Sequence, residues 1–386
     1  MRVAVIGAGI IGVTIAARLA ERGASVVVID KGHPGCGTTS TSYAWLNSNG
    51  KQPKAYFDIN RAGLDAHKRL SPKDGAAWLD IGGHVEFAID DHHRDDLAAR
   101  AARLRSWDYP AEEITAADVA RLLPDVRLPE GVQLIIRYPG EAHAYPALYL
   151  AHVLGEARAA GARIRTGVEV TSLTGNGETA SVGLSDGSVE DVDRVVSATG
   201  RWTSRCAALA GANVPVREFS EPGDIVVGYL AVTNPLPVRL ASLVTSPWLN
   251  VRPAGGGRLM LQALDLDATA DPREVPGTDS PLARELLTRL RALLDGTGGA
   301  RIVELMVGQR AMPEDGRTIA GFAPGVPWFY VVATHSGVTL APYLGEAVAA
   351  ELGGEPQAAL DEFRIERFAI DKTYGQPYTP RKPGEQ

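Results

Sequence analysis

The chain opens with MRVAVIGAGIIGVTIAARLAERGASVVVID, residues 1–30, and this stretch decides the fold. Residues 2–6 are a short apolar run ended by glycine, the pattern of a buried strand. Residues 10–22 carry helical periodicity and stop at Gly23, a good residue for a helix end. Residues 25–29 form a second apolar run that closes at Asp30. Strand, helix and strand in this order predict a βαβ unit in a parallel sheet. Between the first two elements, Gly7-Ala8-Gly9-Ile10-Ile11-Gly12 fits G-x-G-x-x-G. Gly7 permits the tight turn, Gly9 lets the backbone approach a pyrophosphate, and Gly12 lets the helix pack closely. The helix start at Ile10 and Ile11 offers N–H groups and a positive dipole end to phosphates. Asp30 falls where a carboxylate can hold a ribose hydroxyl pair, and its charge would repel the extra phosphate of NADP. These residues alone leave NAD and FAD both open.

Working outward, 386 residues exceed one ordinary core, so two linked domains are expected. Hydrophobic residues at 45% and charged residues at 22% fit a globular protein. A net charge of −7, with no basic run, gives no reason to expect nucleic acid or an anionic membrane as partner. Cys36 and Cys206 are the only cysteines, so no disulfide framework is implied and a cytoplasmic setting is expected. No signal peptide is read at the N-terminus, and no apolar run reaches the ~18 residues that span a bilayer.

Further helices are predicted at 56–70, 91–107, 115–123, 146–160, 282–294 and 340–352, and strands at 163–165, 169–173, 194–197 and 329–333. Thr115-Ala116-Ala117-Asp118 is a capping-box signature. A hairpin is read at 180–191, and 225–264 is β-rich. The fold class is therefore α/β and α+β: a Rossmann-like dinucleotide domain with a second β-rich, mainly antiparallel domain inserted discontinuously. The first is placed at 1–80, 146–215 and 310–386, the second at 81–145 and 216–309.

Four more stretches narrow the cofactor. Gly37-Thr38-Thr39-Ser40 is a hydroxyl-rich loop after Asp30 and Lys31. VVSATGRWT (195–203) is a strand running into Thr199-Gly200, and Val168-Glu169-Val170 precedes it. GQRAMPEDGRTIAG (308–321) carries Arg310, and THSGVTLAP (334–342) opens the last long helix. Together they resemble the FAD-dependent superfamily of D-amino-acid oxidase, glycine oxidase and sarcosine oxidase over nearly the whole chain. The resemblance implies FAD held by Gly7, Gly9, Ile10, Ile11, Gly12, Asp30, Lys31, Thr38, Thr39, Ser40, Val170, Thr199, Gly200, Trp202, Ser336, Gly337, Val338 and Thr339. It also implies oxidation of a C–H bond beside an amine nitrogen: hydride goes to flavin N5, the imine hydrolyses, and O2 returns the cofactor with release of H2O2.

The family's carboxylate-binding arginine falls on Arg310, a bidentate task suited to guanidinium. His335 is implied at the flavin-facing turn, as a second catalytic residue. Trp45, Asn47 and Lys51 follow the phosphate loop toward the substrate, although Lys51 reads first as a solvated surface lysine. The substrate implied is a small amine or amino acid bearing a carboxylate. Ala311 and Met312 stand where some members carry a flavin-linking cysteine, and Thr41-Ser42-Tyr43 where others carry a histidine, so FAD is expected to be noncovalent. No lysine lies between Lys73 and Lys372, so the family's oxygen-activating lysine has no counterpart; Arg258 is the nearest stand-in. The acceptor therefore stays open between O2 and a quinone or carrier. No metal site is expected: the run from Asp90 to Asp96 reads as a solvated helix start.

Overall fold

The two strands of the opening unit are Arg2–Ile6 and Ser25–Asp30, joined by the helix Ile10–Glu21. The computed structural model describes residues 1–72 and 75–370, so the expected extension of the first domain over 371–386 lies outside the described residues. The opening strands are the centre of a six-stranded sheet ordered Ile319–Ala323, Val326–Ala333, Arg194–Ser197, Arg2–Ile6, Ser25–Asp30, Arg163–Thr166. All neighbours run parallel except the first pair.

The apolar runs are continuous because both faces are covered. Val3, Val5, Val26 and Val28 point into a core shared with the helices Ile10–Glu21 and Gly337–Leu352. Ala4, Ile6, Val27 and Ile29 point to the opposite core, which packs under the antiparallel ribbon Val170–Gly175, Ala180–Leu184, Val189–Val192. Successive side chains alternate between faces, so a strand buried on both sides has no polar alternation to show.

The second large sheet has eight strands: Ile302–Gln309, Val227–Thr233, Leu259–Gln262, Asn250–Pro253, Leu243–Thr245, His84–Ala88, Leu134–Tyr138 and Glu112–Glu113. It is antiparallel except where Leu243–Thr245 pairs with His84–Ala88. The helix Pro281–Leu293 covers it with Ala283, Leu286, Leu290 and Leu293 inward. A smaller sheet pairs Trp45–Leu46 and Leu79–Asp80 with Ala142–Ala144. Thr115 and Asp118 form the capping box read from sequence.

One long helix starts earlier than expected, at Gly337 and not near Leu340. Pro342 therefore lies inside it, where proline removes a backbone donor. His67, from the helix Lys54–Leu70, bonds the carbonyl left over.

Candidate active site

A cavity of about 540 Å³ runs along the carboxyl ends of the parallel strands, the place where open α/β sheets take ligands. Its wall starts at Gly7, whose φ of +106° suits only glycine, and whose added Cβ would lie 2.5 Å from the Ala198 carbonyl oxygen. A Cβ on Gly12 would lie 2.0 Å from the Gly7 oxygen, so the helix reaches the strand only because that position is bare. Gly9, Ile10 and Ile11 line the cavity at the helix start. The Ile10 N–H is bonded by Thr39 Oγ1 at 3.1 Å, which ties the hydroxyl loop to the helix terminus.

Asp30 accepts the backbone N–H of Ala8 at 2.7 Å and of Gly32 at 2.8 Å, which fixes its carboxylate on the cavity wall. Lys31, Thr38, Val170, Thr199, Gly200 and Trp202 line the same space, and Gly337 and Val338 close its far end. Both cysteines also line it, Cys36 beside the glycine-rich loop and Cys206 on the helix Thr203–Leu209. Ser40 is a correction: it is exposed, its hydroxyl turns back to the Gly37 carbonyl at 2.9 Å, and it does not line the cavity. The one-turn 3₁₀ helix Thr38–Thr41 rotates Ser40 outward while Thr38 and Thr39 face in.

A smaller cavity, about 90 Å³, adjoins the first and lies between the Gly337–Leu352 helix start and the eight-stranded sheet. Trp45, Asn47, Lys51, Arg310, Ser336, Val338 and Thr339 all line it, and His335 lines both cavities. Lys51 is the second correction, since it is only 6% exposed and belongs to the cavity wall, not to the surface. The Asn47 side chain is buried with its Oδ1 lacking a hydrogen-bond partner. Ser336 bonds the Tyr56 hydroxyl at 2.9 Å, and its N–H donates to Thr334 Oγ1 at 3.1 Å, so the helix start is rigidly mounted.

Arg310 leaves the strand Ile302–Gln309 at its end and is nearly buried, with 13% of its side chain exposed. Its Nη1 donates to the Ile225 carbonyl at 2.7 Å and to the Val227 carbonyl, while Nη2 lies 3.5 Å from Asp267 Oδ2. A cation so held is oriented, and part of its charge is already answered. Gln262 and Arg310 also border a third cavity of about 390 Å³, walled by Trp248, Leu249 and Leu264.

Two residues escaped the sequence, and two others were misplaced by it. Glu141 is fully buried; its Oε2 accepts the Trp45 indole N–H at 2.8 Å and its Oε1 the Tyr109 hydroxyl at 2.8 Å, with His84 Nδ1 3.2 Å from Oε2. Arg252 is buried as well, bonding the Tyr43 and Pro253 carbonyls, and burial pulls its guanidinium down to about 10. Arg258, the expected stand-in for the missing lysine, instead sits exposed in the Gly255–Gly257 turn with Nε on the Gly255 carbonyl. His93 is likewise not a solvated residue of its helix start, for it turns inward to Glu86 at 3.1 Å. A side chain's partner across the fold leaves no mark at its own position in the sequence.

Residues 2–351 match the family described as DAO, FAD dependent oxidoreductase. The chain belongs to this family. A glycine oxidase of Geobacillus kaustophilus (strain HTA426) is 25% identical over 386 residues, covering 97% of both chains. A glycine oxidase of Bacillus licheniformis is 26% identical over 374 residues, covering 94% of this chain and 96% of the other. The solved glycine oxidase from Geobacillus kaustophilus superposes with a TM-score of 0.82 at 23% identity, over 95% of this chain and 99% of that one. L-proline dehydrogenase from P. horikoshii gives 0.82 at 21% identity, over 96% and 98%. Iminodiacetate oxidase from Chelativorans sp. BNC1 gives 0.78 at 24% identity, over 94% and 99%.

As a DAO-family member the protein is an FAD-dependent oxidoreductase of the glycine oxidase type. The long cavity fits that cofactor: a bare glycine turn, a fixed acid and a hydroxyl loop follow one another along a wall that added Cβ atoms would obstruct. Among the described residues, no helix is long and apolar enough to cross a membrane.

Proposed function

We propose that the protein oxidises the carbon beside the nitrogen of an amino acid or N-substituted glycine, passing the electrons to O2 with formation of H2O2. The observation that carries this reading is the small cavity at the Gly337–Leu352 helix start, where Arg310 and Lys51 enter the same wall as Trp45 and Asn47. Bound FAD would supply the two-electron chemistry. Two cations suit a carboxylate, and a buried amide oxygen on Asn47 suits an amine N–H. The likeness to two glycine oxidases and to the iminodiacetate oxidase fold agrees with a substrate of this class.

In this reading Arg310 fixes the carboxylate, and Asp267 with the carbonyls of Ile225 and Val227 fixes Arg310. Trp45 forms a wall whose angle is set by its indole bond to Glu141. The helix start from Ser336 to Thr339 turns its positive end toward the small cavity and would stabilise negative charge formed there. His335, on both cavities, would sit between cofactor and substrate. The residues assigned to FAD are those the sequence implied, less Ser40, with FAD held noncovalently.

The absent lysine on the eight-stranded sheet favours one second reading, a dehydrogenase that passes its electrons to a quinone or carrier protein. One experiment addresses both. Amines and amino acids are mixed anaerobically with the FAD-loaded protein, and loss of the oxidised flavin spectrum is followed; air is then admitted. Bleaching followed by fast recovery with peroxide is the expected result. Bleaching with slow recovery would leave the amine chemistry and remove the oxidase. No bleaching by any carboxylate-bearing amine would end the proposal.

A further inference from the structure

The hydroxyl loop at residues 32–42 contains no lysine or arginine, yet the cofactor it serves carries two phosphate charges. The helix start at Gly9 answers part of that charge. The other cations around the long cavity are Lys31, Arg201 and Arg205. Lys31 is half-exposed and lies 3.7 Å from Glu169. Arg205 is more exposed still and is held by Glu218 at 2.7 Å.

Arg201 differs from both. It is half-buried in the Gly200–Trp202 turn, and among the described residues it makes no ion pair. Its guanidinium lies over the Trp202 ring, 3.8 Å from the centroid, and Nη1 approaches Thr38 Oγ1 at 3.5 Å. Burial draws its basicity down, and only the nearby Cys36 sulfur acts in the other direction. The Thr38 hydroxyl it approaches is itself fixed by donating to the Gln309 carbonyl at 2.6 Å. The Trp202 ring packs beside Gly37, where an added Cβ would make ordinary contact at 3.5 Å. A half-buried cation at the hydroxyl loop, stacked on an aromatic ring and making no ion pair among the described residues, is a site prepared for an anion.

We propose that Arg201 is the side-chain ligand for the FAD diphosphate, supplying the charge that the loop itself lacks. Trp202 acts as the positioning residue that keeps the guanidinium flat against the cavity wall. The anion recognised is a diphosphate bridging nucleoside and flavin, so ADP should be recognised and adenosine should not profit from Arg201.

The test uses apoprotein, the variants Arg201→Gln and Arg201→Met, and FAD binding followed by quenching of flavin fluorescence. Met keeps an apolar stem over Trp202, so it separates charge from packing. Loss of the charge-assisted bond should weaken FAD binding about ten- to a hundredfold in both variants. ADP should compete better than adenosine against wild type, and that advantage should shrink by the same factor in the variants. In unmodified apoprotein, ADP should protect Arg201 from phenylglyoxal and adenosine should not. An unchanged ADP-to-adenosine ratio in the variants would overturn the assignment even if FAD binding weakened, because the loss would then come through Trp202. Equal labelling of Arg201 with and without ADP would overturn it as well.

Discussion

His67 Nε2 lies 2.8 Å from the carbonyl oxygen of Val338, the acceptor that Pro342 leaves without its helical donor. A carbonyl can only accept, so the ring carries its proton on Nε2. His67 is fully buried, and burial pulls its pKa down to about 4, so the neutral ring is the native form. The bond thus secures the first turns of the helix whose start lines both cavities.

The burial of this ring gives a pH signature. The folded value lies below the unfolded 6.5, so the unfolded chain binds the extra proton between the two values. Stability is therefore full above about pH 6.5 and falls as pH drops toward 4, by about 3 kcal/mol from this group. His67→Gln retains a donor and cannot titrate. Its urea midpoint should change less across this range than that of wild type.

Arg310 and Asp267 should have opposite effects on substrate affinity. Arg310→Ala is expected to raise KM about a hundredfold, because a carboxylate loses its fixed partner. Asp267→Asn keeps the acceptor for the Tyr229 N–H and removes the competing charge, so KM should fall about threefold with kcat held. Steady-state kinetics on one bleaching substrate checks both.

Gly12→Ala should leave the protein without cofactor. The new methyl carbon would lie within 2.0 Å of the Gly7 oxygen, and only separation of helix from strand could relieve it. The expected outcome is a purified protein with almost no visible flavin absorbance relative to its protein band.

Glu141→Leu should destabilise the fold by about 3 kcal/mol, since the Trp45 indole and Tyr109 hydroxyl both lose a buried acceptor. Glu141→Gln, which keeps one acceptor, should cost less. Denaturant unfolding of the two variants measures the difference.

Sequence carried the parallel sheet well, because a strand buried on both faces must be written in consecutive apolar residues and Gly7 and Gly12 mark close backbone approach. It carried the site unevenly. Thr38 and Ser40 are alike on paper, yet a single turn of 3₁₀ helix turns one inward and the other to solvent. Lys51 follows Gly50 in a polar stretch and has no local sign of burial; the wall that covers it includes Leu230 and Gln262, far along the chain. Arg252 and Arg258 both flank a glycine-rich turn, and only strand pairing decides which is inside. The helix start at Gly337 was hidden by Pro342, whose missing donor is replaced from a separate helix.

The six-stranded sheet places Arg194–Ser197 between Arg2–Ile6 and Val326–Ala333, so its long cavity is walled both by residues 6–11 and by residues 334–338, far apart in the chain. A cofactor lying there joins the first turn to the segment at 334–338, much as a staple joins the first and last sheets of a folded page. Its binding energy then adds to the stability of the whole molecule and not to one loop. Loss of flavin should accordingly loosen residues 7–11 and 334–338 together, and a chain ending before residue 326 would have a cavity with one side missing.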